Sequence, residues 1–235
     1  MSVYACSDLH GYHELYKQIK AFLSPDDKVY FLGDAGDRGP EPWKTIKAIL
    51  QDEQFVYIQG NHDDMLIKAV FGYFGEEVVT YTDAYQLLYQ NGGAETIEEI
   101  FKERDPRGWA RHLHRCPTQQ VYTRQDGKTI YLSHSGKISS IPSEVLWDRQ
   151  HYMSLPQPAD TYDYIIHGHT PIQHIIKEMS EVNKFFDNPR YTWKQDQKAL
   201  WYDDGHKCCI DLGTYRTEET VLINLDTFEE HVFKV

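Results

Sequence analysis

The stretch Gly33-Asp34-Ala35-Gly36-Asp37-Arg38-Gly39 decides how this chain is read. It follows the apolar run 28–32, which reads as a strand bounded by turn residues. Glycines beside Asp let the backbone turn sharply and approach a site closely. A residue placed just past a strand is also rigidly aimed, as metal geometry requires.

The same arrangement recurs along the chain. The predicted strand 3–7 releases Asp8-Leu9-His10, and 55–59 releases Gly60-Asn61-His62-Asp63. After 129–133 comes His134-Ser135-Gly136, and after 162–166 comes His167-Gly168-His169-Thr170-Pro171. Five successive predicted strands therefore deliver Asp, Asn or His at their carboxyl ends, the edge where α/β sheets bind ligands. Asp8 and His10 fall on one side of an extended backbone, because side chains alternate with period two. One Asp-x-His is a weak signal, and a lone His at a strand end is commonly a hydrogen-bonded structural residue. Five in register and in one order form a constellation.

Its donors are carboxylate, imidazole and amide, without thiolate. That set suits Mn²⁺, Fe or Zn²⁺ and argues against a structural cysteine zinc site. A carboxylate can bridge, so six side chains can serve two ions about 3.5–4 Å apart.

The rest of the chain frames this edge. Short apolar runs, including 208–212 and 220–224, alternate with helical segments near 12–23, 42–51, 64–74, 83–91 and 94–103, which predicts an α/β fold. The 235 residues are expected to form a single domain, 1–235, with two embellishments. One is a mostly helical insertion at about 64–115. The other is an irregular, aromatic-rich insertion at about 178–207, whose tail Trp201-Tyr-Asp-Asp-Gly205 reads as a hairpin turn. Either insertion can wall a cleft or merely decorate the surface. A net charge of −12 disfavours a nucleic-acid partner, whose phosphates call for a basic face. A protein of that charge that handles phosphate needs local positive charge, which bound cations supply. The four cysteines show no Cys-x-x-Cys spacing and read as reduced thiols. With no apolar run of signal-peptide or membrane-spanning length, a cytoplasmic protein without a membrane partner is expected.

Asp8-x-His10, Gly33-Asp-x-x-Asp-Arg-Gly39, Gly60-Asn-His-Asp63, His134 and Gly168-His-Thr170 together resemble the PPP-type metallophosphatases of the calcineurin-like superfamily. The likeness is closest to the short bacterial and bacteriophage branch typified by the phage lambda protein phosphatase. Asn91-Gly-Gly93, Leu146-Trp-Asp-Arg149 and Cys209-Ile-Asp-Leu-Gly213 extend it over nearly the whole chain, excepting the region near 178–207. The resemblance implies a four-layer α-β-β-α sandwich with a central pair of mixed sheets flanked by helices.

It also implies roles. Asp8 and His10 hold one metal, Asp34 bridges, and Asn61, His134 and His169 hold the other. His62 is the general acid, Asp37 keeps it protonated and oriented, and Arg38 and Arg149, with Asn61, bind the phosphate. His167 falls outside the ligand pattern. Two divalent ions, Mn²⁺ first with Fe or Zn²⁺ open, would generate a bridging hydroxide that attacks phosphorus directly. Phosphorylated proteins or small phosphoesters are the expected substrates. The alternative is a dinucleoside polyphosphate such as diadenosine tetraphosphate. Asp63 stands where protein phosphatases commonly carry Glu and the dinucleotide hydrolases often carry Asp, yet those hydrolases frequently lack the acid present at Asp37. A non-catalytic phosphate-binding module is a remote third reading, opposed by the intact ligand set with His62 and Asp37.

Overall fold

A computed structural model describes residues 1–76, 81–153, 161–184, 191–194 and 198–235. The chain begins with three parallel strands, β1 (Val3–Cys6), β2 (Lys28–Phe31) and β3 (Phe55–Tyr57). A second sheet then collects β4 (Gln119–Thr123), β5 (Thr129–Ser133), β6 (Tyr164–His167), β7 (Trp193–Lys194), β8 (Leu200–Tyr202) and β9 (Lys207–Cys209). Finally β10 (Glu219–Asn224) and β11 (Glu230–Lys234) return to the first sheet, with β10 antiparallel against β1. Spatial orders are β11-β10-β1-β2-β3 and β4-β5-β6-β9-β8-β7. Both sheets are mixed, since β5, β6 and β9 run parallel while β4, β8 and β7 pair antiparallel.

Alternation along single strands sorts the layers. In β1, Val3 and Ala5 join Leu32, Ile58, Ile130, Leu132, Ile166, Cys208, Val221 and Ile223 between the two sheets. Tyr4 and Cys6, one residue out of phase, pack instead with the helical layer. That layer contains α1 (His13–Phe22), α2 (Pro42–Gln51) and α3 (Asn61–Tyr73), which contribute Leu15, Ile19, Ile46, Ile49, Met65, Leu66 and Val70. Between α3 and the second sheet come α4 (Tyr81–Gln90), α5 (Ala94–Ile100) and α6 (Pro106–His114). Pro106 opens α6 at a position where no amide donor is needed, and the Asp105 carboxylate caps it by accepting from Gly108 N at 2.8 Å. After β5 comes the short α7 (Pro142–Trp147), and Ile172, Ile175 and Met179 of α8 (Ile172–Asn183) add the fourth layer beside the second sheet. The four-layer sandwich is therefore observed. The chain's last helix is α9 (Thr214–Thr217).

Several boundaries differ from expectation. Helix α3 starts at Asn61, three residues earlier than expected, so Asn61 and His62 occupy its first turn. Strands β4 and β11 lie at sheet edges with alternating exposure, and their short runs give little signal in the sequence, as do α7 and α9. The aromatic block is not irregular where it is described: residues to Asn183 are helical, and β7 and β8 pair antiparallel. Its expected hairpin turn links β8 to β9 through Asp203–Gly205. Residues 185–190 and 195–197 of that block lie outside the described residues. Among the described residues no helix is long and apolar enough to cross a membrane.

Two glycines bring the loops after β2 and β3 together. Gly33 has φ +90°, and a Cβ there would sit 2.5 Å from Gly60 N and 2.6 Å from Gly60 Cα. Backbone cannot yield as a flexible side chain can. Gly33→Ala is expected to cost about 1–3 kcal/mol in urea unfolding. Gly127→Ala, at φ +85° with nothing within 4 Å, is expected to cost less. Equal losses would show that conformation alone, and not the close approach, governs Gly33.

Candidate active site

The strand ends meet at one edge of the sandwich, and the backbone there is strained. Asp8, His10, Asp34, Asp37, Arg38 and His169 all have positive φ, between 43° and 69°. Such conformations cost of order 1–3 kcal/mol each for ordinary side chains and persist only where the surroundings impose them. The loops hold one another in place. Asp8 N donates to Gly33 O at 3.0 Å, and His10 N to Asp34 O at 3.1 Å.

One group of donors is closed. His134 Nδ1 donates to the Leu32 carbonyl at 2.6 Å, so in the neutral ring its Nε2 lone pair faces inward. That nitrogen lies 3.2 Å from Asp34 Oδ2, 3.0 Å from Asn61 Oδ1 and 3.1 Å from His169 Nδ1. Asn61 Oδ1 and His169 Nδ1 are 2.9 Å apart. Four acceptor-capable atoms from four loops thus crowd into one buried point, an arrangement that a cation satisfies. Burial opposes charging His134, but Asp34 outweighs it and pushes the imidazole up to about 9. Burial and then His134 hold His169 well below the usual histidine range. Two buried polar atoms without a partner among the described residues, Asp8 Oδ1 and His169 Nε2, add to the fit.

The second group shares Asp34. His10 Nδ1 donates to Gly36 O at 3.0 Å, which aims Nε2 at the site, 3.8 Å from Asp8 Oδ1. Asp8 also accepts from His169 N at 3.1 Å, and burial followed by Asp34 leaves its carboxyl up at about 6. His10, Asp34 and His62 can offer one ligand atom each to a common ion, as can Asp34, His134 and His169. Gly168 permits this packing, since a Cβ there would collide with Asp8 Oδ2.

Beside these atoms stands a buried acid pair. His62 Nδ1 donates to Asp37 Oδ2 at 2.5 Å, and Thr96 of α5 donates its hydroxyl to the other Asp37 oxygen. Arg38 spans the two imidazoles, donating to His10 Nε2 at 3.0 Å and His62 Nε2 at 2.8 Å. Because guanidinium only donates, both nitrogens present lone pairs to it, and Arg38 competes with any cation for His10.

Several supports act between residues distant in the sequence. Asp63 accepts from Gly60 N at 2.7 Å, Asp34 N at 3.3 Å and the Tyr57 hydroxyl at 2.7 Å, clipping the β2 and β3 loops together. Burial, then the nearby Asp34 charge, pushes its carboxyl up to about 7. Thr96 gives no sign of its role in the sequence. Asn91-Gly-Gly93 enters the sequence reading only as a resemblance, and its structural part is close approach. Arg38 N donates to Gly92 O at 3.0 Å, and a Cβ on Gly93 would meet Asp37 Oδ1 at 2.9 Å. The helical block therefore walls the site. Tyr215 of α9, equally silent in the sequence, stands edge-on to His10 with ring centroids 5.8 Å apart.

Two further residues are placed differently from this group. Arg149 is exposed in a turn that Asp148 caps by accepting from Gln150 N at 2.9 Å and His151 N at 2.7 Å. It lines a cleft of about 680 Å³ with Lys137, His151, His174 and Glu178, and its charge contributes to lowering His169. His167 turns away from the donors. Its Nε2 meets the Tyr202 hydroxyl at 2.7 Å and His151 Nε2 at 3.2 Å, a buried polar cluster behind the site.

The calcineurin-like phosphoesterase profile matches residues 1–173. The chain belongs to that metal-dependent phosphoesterase family. A 71-residue segment is 39% identical to the symmetrical bis(5'-nucleosyl)-tetraphosphatase of Burkholderia thailandensis, covering 29% of this chain and 25% of that protein. The chain thus matches about a quarter of the length of that curated relative. Among solved structures, a candidate diadenosine tetraphosphatase aligns with TM-score 0.58 at 12% identity, over 98% of this chain and 92% of that one. A protein serine/threonine phosphatase from Saccharomyces cerevisiae gives 0.56 at 13%, over 100% and 80%. At these identities the likeness is one of fold.

Asp34 faces both donor groups, so Asp34→Asn should lose most divalent-cation uptake in elemental analysis of the dialysed protein. Cation at a hundredfold excess over its Kd should stabilise the wild type by about 2.7 kcal/mol. Thermal melts of the variant should lack that gain. Full uptake by Asp34→Asn would show that the carboxylate is not shared.

Proposed function

We propose that the chain hydrolyses phosphomonoesters, with phosphoserine and phosphothreonine in proteins as leading substrates and small esters beside them. The observation that carries this reading is the buried 2.5 Å pair of His62 Nδ1 and Asp37 Oδ2. An alkoxide is a poor leaving group and needs a proton as the bond to phosphorus breaks, whereas a departing phosphate needs much less help. Asp37 fixes the ring so that Nε2, the proton-delivering nitrogen, faces the substrate side. Arg38 moves from the two imidazoles to the phosphate oxygens, freeing that nitrogen, and its fork matches them bidentately. Arg149 closes on the phosphate from the opposite rim.

Asp8 and His10 would hold one divalent ion and Asn61, His134 and His169 a second, with Asp34 between. Mn²⁺ is the leading candidate, and Fe and Zn²⁺ fit the same donors. When bound, the ions supply Lewis acidity, lowering the pKa of water and offsetting phosphate charge. The helical block 64–115 and the aromatic block 178–207 are read as insertions in one domain. Four unpaired cysteines suit a reducing cytoplasm.

A second reading, hydrolysis of a dinucleoside tetraphosphate, is favoured by the 71-residue likeness to the Burkholderia tetraphosphatase and by Asp in place of Glu at position 63. Mn²⁺-loaded protein offered a phosphopeptide and diadenosine tetraphosphate side by side separates the two. A hundredfold higher kcat/KM for the dinucleotide would make the second reading the first.

His62→Ala should keep a cation on the Asp34, His134 and His169 group, which does not include it, and lose about 10²–10⁴-fold in kcat. The loss should be greatest for alkyl phosphates and least for p-nitrophenyl phosphate. Equal losses for both leaving groups would remove His62 from the acid role.

A further inference from the structure

The rim turn after β9 is built rigidly. Helix α9 spans only four residues between left-handed Gly213, φ 70°, and left-handed Glu218, φ 57°. Asp211 Oδ1 accepts from Gly213 N at 2.8 Å, Thr214 Oγ1 donates to Glu219 O at 2.9 Å, and Thr217 Oγ1 donates to Leu212 O at 3.3 Å. A strained, non-glycine φ held by this many bonds marks a turn kept for what it presents. It presents Tyr215 and Arg216.

Tyr215 joins these residues to the phosphate end of the site, where its ring meets His10 edge-on. The Arg38 guanidinium carbon lies 4.7 Å from the ring centroid, and that of Arg216 lies 5.0 Å from the same centroid. One aromatic ring thus carries two cations. Among the described residues neither arginine forms an ion pair with a carboxylate, although the chain's net charge is −12. Seating both on one ring leaves the Arg216 fork, which meets no carboxylate among the described residues, available to an anion, while Arg38 donates to the site imidazoles. Arg38 also contacts His10 and His62, whereas Arg216 is exposed and lies one step outward.

We propose that Tyr215 and Arg216 form a second anion subsite, which takes the phosphoryl group adjoining the scissile one in a polyphosphate chain. The proposal rests on Arg38 as clamp of the scissile phosphate and on the second substrate reading, a polyphosphate. Arg216 binds the next tetrahedral group through its planar fork, and Tyr215 holds the two guanidiniums at a fixed spacing. The subsite selects substrates by charge beyond the reacting phosphorus and adds no chemical step.

Calorimetric titration of Mn²⁺-loaded protein with orthophosphate and with tripolyphosphate tests this, free Mn²⁺ being kept in excess so that chelation does not strip the protein. Arg216→Gln should lower the tripolyphosphate-to-orthophosphate affinity ratio about tenfold, the size expected for one charge-assisted contact. Arg216→Glu should lower it further. Tyr215→Phe keeps the ring and should keep the ratio, while Tyr215→Ala should lose it. An Arg216→Gln ratio within twofold of wild type, or equal weakening of both ligands, would overturn the subsite. Unchanged orthophosphate affinity in Arg38→Gln would instead remove the clamp reading on which the subsite rests. A flat Arg216→Gln ratio beside an impaired Arg38→Gln removes the subsite alone.

Discussion

Four electron-rich atoms cannot share one dry point without positive charge among them. His134 Nε2, Asp34 Oδ2, Asn61 Oδ1 and His169 Nδ1 are separated by about one hydrogen bond's length, yet the fold leaves few protons to reconcile them. His134 uses its Nδ1 proton on the Leu32 carbonyl, and the amide of Asn61 presents oxygen. The rest of the architecture serves this convergence. Left-handed backbone at six site residues, the glycine contact between the β2 and β3 loops, and the three bonds accepted by Asp63 all raise the energy of the chain locally or spend interior space. The apolar layers on both faces of the paired sheets make that tolerable.

The two sheets are joined through the site as well as through their shared core. His134 follows β5 in the second sheet, but its proton goes to a carbonyl at the end of β2 in the first. His169 follows β6, and its amide goes to Asp8 after β1. Donor geometry and sheet packing are therefore coupled, and substitutions at inter-sheet residues such as Ile166 or Ala5 act on donor spacing without touching a donor. The helical block is joined in the same way, since Thr96 holds Asp37 and Gly92 receives the Arg38 amide.

What can be read from the sequence is local. Each donor lies within a few residues of an apolar run, so alternation and glycine punctuation are enough to place Asp8, His10, Asp34, Asn61, His134 and His169 at one edge. The fold class follows from the same runs. Supports that depend on distant pairing carry no comparable signal. Thr96 sits 59 residues from the carboxylate it binds, and Tyr215 reaches His10 across nearly the whole chain. Asp63 stands out by its identity, while its task of clipping two loops shows only in three dimensions. Helix α8 does carry an apolar stripe, Ile172, Ile175 and Met179, but its last turns fall in the stretch from about 178 that reads as irregular.

The return of β10 to lie between β11 and β1 also bears on biosynthesis. Tyr4 pairs with Asn224 and Ala5 with Ile223, so β1 waits for the synthesis of β10, more than 200 residues later, before one of its edges is covered. Until then Val3 and Ala5 lack Val221 and Ile223 as packing partners, and a nascent chain presents an apolar ribbon with an open hydrogen-bonding edge. Chains cut short before residue 219 should consequently be chaperone clients or aggregates, with all six candidate donor side chains already synthesised.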